Sequence, residues 1–100
     1  MINRIDCHEA KRMIEQDNAQ FVDVRTPEEF ASGALPGAVN IPLQDLAAVA
    51  ETQIDSGRPL VLYCRSGNRS QMAIQMLATM GYDVDDMADL GPYTAWFACE

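Results

Sequence analysis

Residues 64–69 read Cys-Arg-Ser-Gly-Asn-Arg and follow directly on the apolar run Leu60–Tyr63. A thiol attacks as its thiolate. Free cysteine ionises near pH 8.5, and helix N-termini or adjacent cations lower that to roughly 3.5–7.5. The stretch holds the parts for such an effect. Cys64 ends an apolar segment, and a helical pattern begins a few residues later, so the free N–H groups of a helix start lie close to the sulfur. Gly67 permits a backbone conformation that turns N–H groups inward as an anion nest. Arg65 and Arg69 add full positive charges. The chemistry expected of such a loop is nucleophilic and covalent, with Cys64 as the attacking group. The alternative is a buried strand-end cysteine beside two solvated arginines.

The elements that must position this loop alternate between strand and helix. "INRI" is a short strand candidate. Asp6 caps a first helix, with Glu9 three residues on as in a capping box, and Ala10, Met13 and Ile14 form its apolar face. "QFVDV" (20–24) is a compact apolar strand. Thr26, Pro27 and Glu29 repeat the helix-start pattern, and Gly33 stops that short helix. A brief strand over 38–41 follows, then a helix from near Leu43. "LVLYC" (60–64) is near-continuously apolar, as in a strand with both faces covered. Ala73, Met76, Leu77 and Met80 fall at helical spacing, ended by Gly81. "YDVDDM" is a weaker last strand, and "GPYTAWFA" a final short helix. The reading is one α/β domain over residues 1–100: a five-stranded, mainly parallel sheet with helices on both faces. Ligands bind such sheets at the carboxyl ends of strands. Cys64 stands at one, and Asp23 and Arg25 at another, where support of the loop is the expected role.

Composition narrows the function classes. Apolar residues make up 48% and charged residues 22%, as in an ordinary globular domain. Seven basic against fifteen acidic residues give 7 − 15 = −8, which disfavours nucleic acid. No run approaches membrane-spanning length, and the first residues show no leader pattern. Three cysteines (Cys7, Cys64, Cys99) without regular spacing make a poor disulfide framework. With His8 the lone histidine and no CxxC pair, no metal site is expected. Cys7 reads as incidental, Cys99 as part of an exposed, frayed end, and His8 as a surface residue. These features suit a cytoplasmic protein with reduced thiols.

The loop resembles that of the rhodanese family, whose pattern is Cys-Arg-any-Gly-any-Arg/Thr. The likeness extends to "FVDVRTPEEFASGALPGAVNIPL" and "DLGPYTAW", in the family's order. Ala34 stands where the family often has histidine, and Pro92 replaces the second glycine of its Gly-Gly pair, ahead of Tyr93. The resemblance implies a single-domain sulfurtransferase of the thiosulfate:cyanide type. Cys64 would take sulfur from thiosulfate or a protein persulfide and pass it to cyanide, a thiol or a sulfur-accepting protein, with no metal or organic cofactor. The inward N–H groups of Arg65, Ser66, Gly67, Asn68, Arg69 and Ser70 would hold the anionic terminal sulfur. Arg65 would bind the donor's sulfonate; Arg69 would do the same or hold the loop. Two other readings stand beside it. One is a persulfide relay or docking module without turnover of its own. The other is a cysteine phosphatase or arsenate reductase, whose loops place five residues between Cys and Arg where this chain has four. Asp23 would be a weak candidate for their general acid. Oligomeric state is not legible from the sequence.

Overall fold

The computed structural model describes residues 2–99. A four-stranded, all-parallel sheet runs β2-β1-β3-β4, with β1 Gln20–Asp23, β2 Val39–Asn40, β3 Leu60–Cys64 and β4 Met87–Pro92. Helices α1 Cys7–Gln16, α2 Pro27–Ala31, α3 Leu46–Gln53 and α4 Asn68–Thr79 alternate with the strands. A 3-10 turn over Leu43–Asp45 leads into α3, and another, Tyr93–Cys99, closes the chain.

Side-chain alternation divides the core between the two faces of the sheet. Val22, Leu60, Leu62, Cys64 and Met87 face α3 and α4 and pack with Leu46, Ile74 and Leu77. Phe21, Val61, Tyr63, Ala88 and Leu90 face the opposite side, against Ala10 and Met13 of α1 and against Tyr93 and Trp96. All five residues of β3 are buried, which explains its unbroken apolar sequence. Burying one leucine of this kind contributes about 1.5–3 kcal/mol.

Two expected strands differ. "INRI" makes a single parallel bridge, Arg4 to Asp89, with Ile5 N–H donating to Asp89 O and Asp89 N–H to Asn3 O. It is too brief to be a fifth strand. "YDVDDM" is mostly a 3-10 turn over Val84–Asp86, in which Asp83 accepts the Asp85 N–H at 2.9 Å. Short acidic side chains capture nearby backbone donors and favour turns over strands. The strand begins only at Met87, and the helical turn expected from Gly91 begins at Tyr93.

Both predicted helix caps are present. Thr26 and Glu29 form a full capping box on α2. On α1, Asp6 accepts the Glu9 N–H, but the Glu9 carboxylate turns to Arg12 at 2.6 Å. Cys7 and Cys99 also depart from expectation. They are joined as a disulfide, Cα to Cα 6.0 Å, which ties α1 to the closing turn; Cys7 is buried and Cys99 half-buried. Spacing in the sequence hides this pairing because the two positions lie 92 residues apart. Cys7, His8 and Cys99 are the one cluster of three potential metal ligands among the described residues. With the sulfurs bonded to each other, the cluster offers no thiolate.

Candidate active site

Cys64 ends β3, and α4 starts four residues later with Gly67 as its N-cap at φ +99°. That left-handed conformation is open to glycine with little strain, and it turns the Gly67 N–H onto Cys64 Sγ at 2.9 Å. Gly67 is also closely packed: a Cβ there would lie 3.6 Å from Pro92 Cδ and 3.7 Å from Gly91 Cα. Pro92, in register with Cys64 on the neighbouring strand, thus lies beside the Gly67 turn. The sulfur itself is fully buried and touches the α4-side core.

The other loop residues divide by position. Arg65, Ser66 and Asn68 are exposed, Arg69 is half-buried and Ser70 is fully buried. Arg65 lines a cavity of about 430 Å³ with Arg25, Glu29, Gly33, Tyr93 and Phe97. Arg69 is turned to Glu29, with Nη1 to Oε1 at 2.7 Å and Nη2 to Oε2 at 3.0 Å. This bidentate pair draws the Glu29 carboxyl down to about 2, assisted by the Thr26 N–H. It ties α4 to α2 and leaves Arg65 as the loop arginine that faces the cavity.

Asp23 and Arg25 form a buried pair at the end of β1. Arg25 Nη2 lies 2.8 Å from Asp23 Oδ2 and also donates to Gly33 O at 2.7 Å. The Arg25 backbone N–H donates to Asp23 Oδ1 at 2.8 Å, and the Tyr63 hydroxyl donates to Oδ2 at 2.7 Å while accepting the Leu35 N–H. Burial first, and then donation to Asp23, hold the Tyr63 phenol well above its usual titration range. Arg25 also lies over the Tyr93 ring, 5.2 Å from its centroid. Asp23 thus orients Arg25, and Arg25 fastens the Gly33 carbonyl and lies over the Tyr93 ring. Ala34, where the resemblance had led to expect histidine, lines the cavity as a small apolar residue.

Three residues of this region were not singled out from sequence. Glu29 is expected to cap α2 and offers Arg25 a partner, whereas in the structure it holds Arg69 and Arg25 is taken by Asp23. Tyr63 was hidden in an apolar strand, although a phenol inside such a run needs a polar partner. Asp89 lies beyond the strand expected over "YDVDDM" and falls inside the observed strand. An aspartate between Ala88 and Leu90, both buried, was the available signal. Asp89 is fully buried, and its Oδ1 accepts from Ser70 Oγ at 2.7 Å.

A strand-end sulfur under a helix-start amide, with a cationic mouth and a buried brace, is a specific arrangement, and the pattern of the rhodanese-like domain family matches residues 6–99. The chain belongs to that family. A sulfurtransferase of Allochromatium vinosum is 37% identical over 83 residues, covering 82% of this chain and 77% of that protein. The thiosulfate sulfurtransferase GlpE of Shewanella oneidensis is 38% identical over 86 residues, covering 85% and 82%. Among solved structures, the human single-domain sulfurtransferase TSTD1 superposes with a TM-score of 0.77 at 27% identity over 99% of this chain and 96% of that one. The rhodanese-like α/β fold read from the sequence is the fold observed, with four strands in place of five. No helix among the described residues is long and apolar enough to cross a membrane.

Proposed function

We propose that this rhodanese-like domain transfers sulfane sulfur through a persulfide on Cys64. The observation that carries the reading is the Gly67 N–H held 2.9 Å from Sγ at the start of α4. An amide donor and a helix N-terminus aimed at one sulfur stabilise negative charge there without reorganisation. The thiolate attacks the outer sulfur of a donor such as thiosulfate or a protein persulfide. Sulfite or the donor thiol leaves, and cyanide, a thiol or an acceptor protein then removes the sulfur. Arg65, the exposed cation of the cavity mouth, binds the anionic end of the donor. Arg69, already paired, holds the loop. In the cavity that Arg65 lines, the Glu29 carboxylate is already engaged by Arg69, and Ala34 adds no polar group. With four residues between Cys64 and Arg69 and Asp23 locked to Arg25, the arrangement does not favour phosphoryl chemistry.

Intact mass measurement after thiosulfate treatment tests this. One added sulfur is expected, removed by cyanide and absent from Cys64→Ser; an unchanged mass together with turnover of an aryl phosphate overturns it. Steady-state thiosulfate turnover then separates an enzyme from a relay that loads but does not cycle. Arg65→Ala should raise KM for thiosulfate about tenfold with little change in stability, an effect of the size expected when a charge-assisted hydrogen bond is lost.

A further inference from the structure

Ser70 sits between two groups that carry protons. Its Oγ lies 2.7 Å from Asp89 Oδ1, 3.1 Å from Gly67 O and 3.6 Å from Cys64 Sγ, which is placed to donate to it. A serine hydroxyl has one proton to give. The shortest contact, of the length of a charge-assisted O–H···O⁻ bond, is to the carboxylate. The Oγ lone pairs are then free for the Cys64 S–H. The chain of donors runs Cys64 to Ser70 to Asp89, every member fully buried.

Asp89 is built to accept what arrives. Its Oδ2 is buried and has no hydrogen-bond partner among the described residues. A buried carboxylate oxygen without a donor is an acceptor site left unfilled. Several charged groups surround the relay. Arg4 lies over Gly91 and shares a groove with Asp89. Arg69 on α4 is close enough to feel charge on Cys64, but it is bound to Glu29. Arg25 is bound to Asp23. None of the salt bridges among the described residues involves Asp89.

We propose that Asp89 is the acceptor of the Cys64 thiol proton, delivered through the Ser70 hydroxyl, and that it holds this proton while Cys64 carries sulfur. The inference rests on the persulfide reading above. In the loading step a bond forms between Sγ and the outer sulfur of thiosulfate. The sulfur–sulfur bond of thiosulfate breaks, and its electron pair leaves on sulfite. The thiol proton passes to Ser70 Oγ as the Ser70 proton passes to Asp89 Oδ1. Neutral thiol, carboxylate and thiosulfate dianion become persulfide anion, carboxylic acid and sulfite dianion, with the same net charge on both sides. The buried site thereby carries one negative charge throughout instead of two within two hydrogen bonds of each other. Ser70 ends with its O–H directed at Sγ. Asp89 acts through Ser70 and is a positioning residue that does not touch the sulfur.

The test is carbon NMR on the full chain, labelled at the aspartate carboxyl and cysteine β carbons, in the unloaded protein and after thiosulfate. Loading should move the Asp89 carboxyl signal from its carboxylate to its carboxylic-acid position, and cyanide should reverse the shift. Ser70→Ala should abolish the movement, and Ser70→Thr, which keeps the hydroxyl, should retain it. In Asp89→Asn, loading should instead release one proton to solvent, read by a pH indicator. An Asp89 signal that stays at the carboxylate position on loading overturns the proposal, as does a shift that survives in Ser70→Ala. If mass measurement shows that no sulfur is loaded, the persulfide reading fails. The unloaded protein still decides the proton path: Asp89 and Cys64 signals that titrate in common steps support it, and independent steps overturn it.

Discussion

Asp23 and Asp89 are the two buried carboxylates of this sheet, and they sit on opposite faces. Asp23 follows Phe21 on the α1 side, and Asp89 follows Met87 on the α4 side. Asp23 is saturated: Arg25 donates to it from backbone and side chain, and Tyr63 donates from its hydroxyl. Asp89 has one side-chain donor, Ser70. The same residue type in the same kind of strand is thus used in two ways. A carboxylate whose acceptor sites are filled by a cation and a phenol serves as a brace. A carboxylate left short of partners keeps a free acceptor atom, and here it lies one hydroxyl away from the candidate nucleophile.

Breaking the braced site should have the largest effect. Asp23→Ala leaves Arg25 buried without its anion and the Tyr63 hydroxyl without its acceptor. The loss of a single partner from a buried pair is expected to cost about 3–5 kcal/mol, read as a lowered urea midpoint. Asp89→Asn should cost less, about 1–2 kcal/mol, because its amide oxygen still accepts from Ser70. If the two substitutions destabilise equally, the contrast between brace and relay is lost. An effect of similar size is expected at Gly91, whose φ is +83° and where a Cβ would overlap the guanidinium of the exposed Arg4 side chain. Gly91→Ala should cost about 1–2 kcal/mol from the left-handed backbone. It should also displace Arg4 from the groove it shares with Asp89, detectable as a shift in the Asp89 carboxyl signal.

The smallest effect tests an intermediate case. Glu29 is half-buried and paired with Arg69, its titration drawn down to about 2 from an ordinary 4.5. A carboxyl depressed on folding contributes stability that is fully present above its unfolded value and is lost as pH falls through the folded value. The contribution should therefore fade between about pH 4.5 and pH 2. For a pair this open to solvent it is about 1 kcal/mol or less. Glu29→Gln should flatten the stability profile across that window and free Arg69. Urea midpoints measured at several pH values check it.

Much of this was legible in the sequence because local rules governed it. The "LVLYC" strand, the Gly67 turn and the start of α4 follow from apolar continuity and glycine chemistry, and they alone place Cys64. The α2 capping box was also readable, but its second use was not: Glu29 holds Arg69 across 40 residues, a contact that needs the tertiary fold. The same holds for Cys7 with Cys99 and for Tyr63 with Asp23. Asp89 escaped for a different reason. The strand expected over "YDVDDM" ends at Met87, where the observed strand begins, because the local turn formed by Asp83 occupies Val84–Asp86.

One irregularity in β4 has a further consequence. Leu62 faces Asp89 across the ladder, yet Tyr63 faces Gly91, so Leu90 is a supernumerary residue on that strand. The extra step lets a short segment serve two stations, a carboxylate under Ser70 and a proline ring under Gly67. Between positions 89 and 92 the spacing therefore matters more than the side chain at 90. Excising one residue there would restore a regular ladder and misalign both stations at once, whereas exchanging Leu90 for another apolar residue would leave the alignment intact.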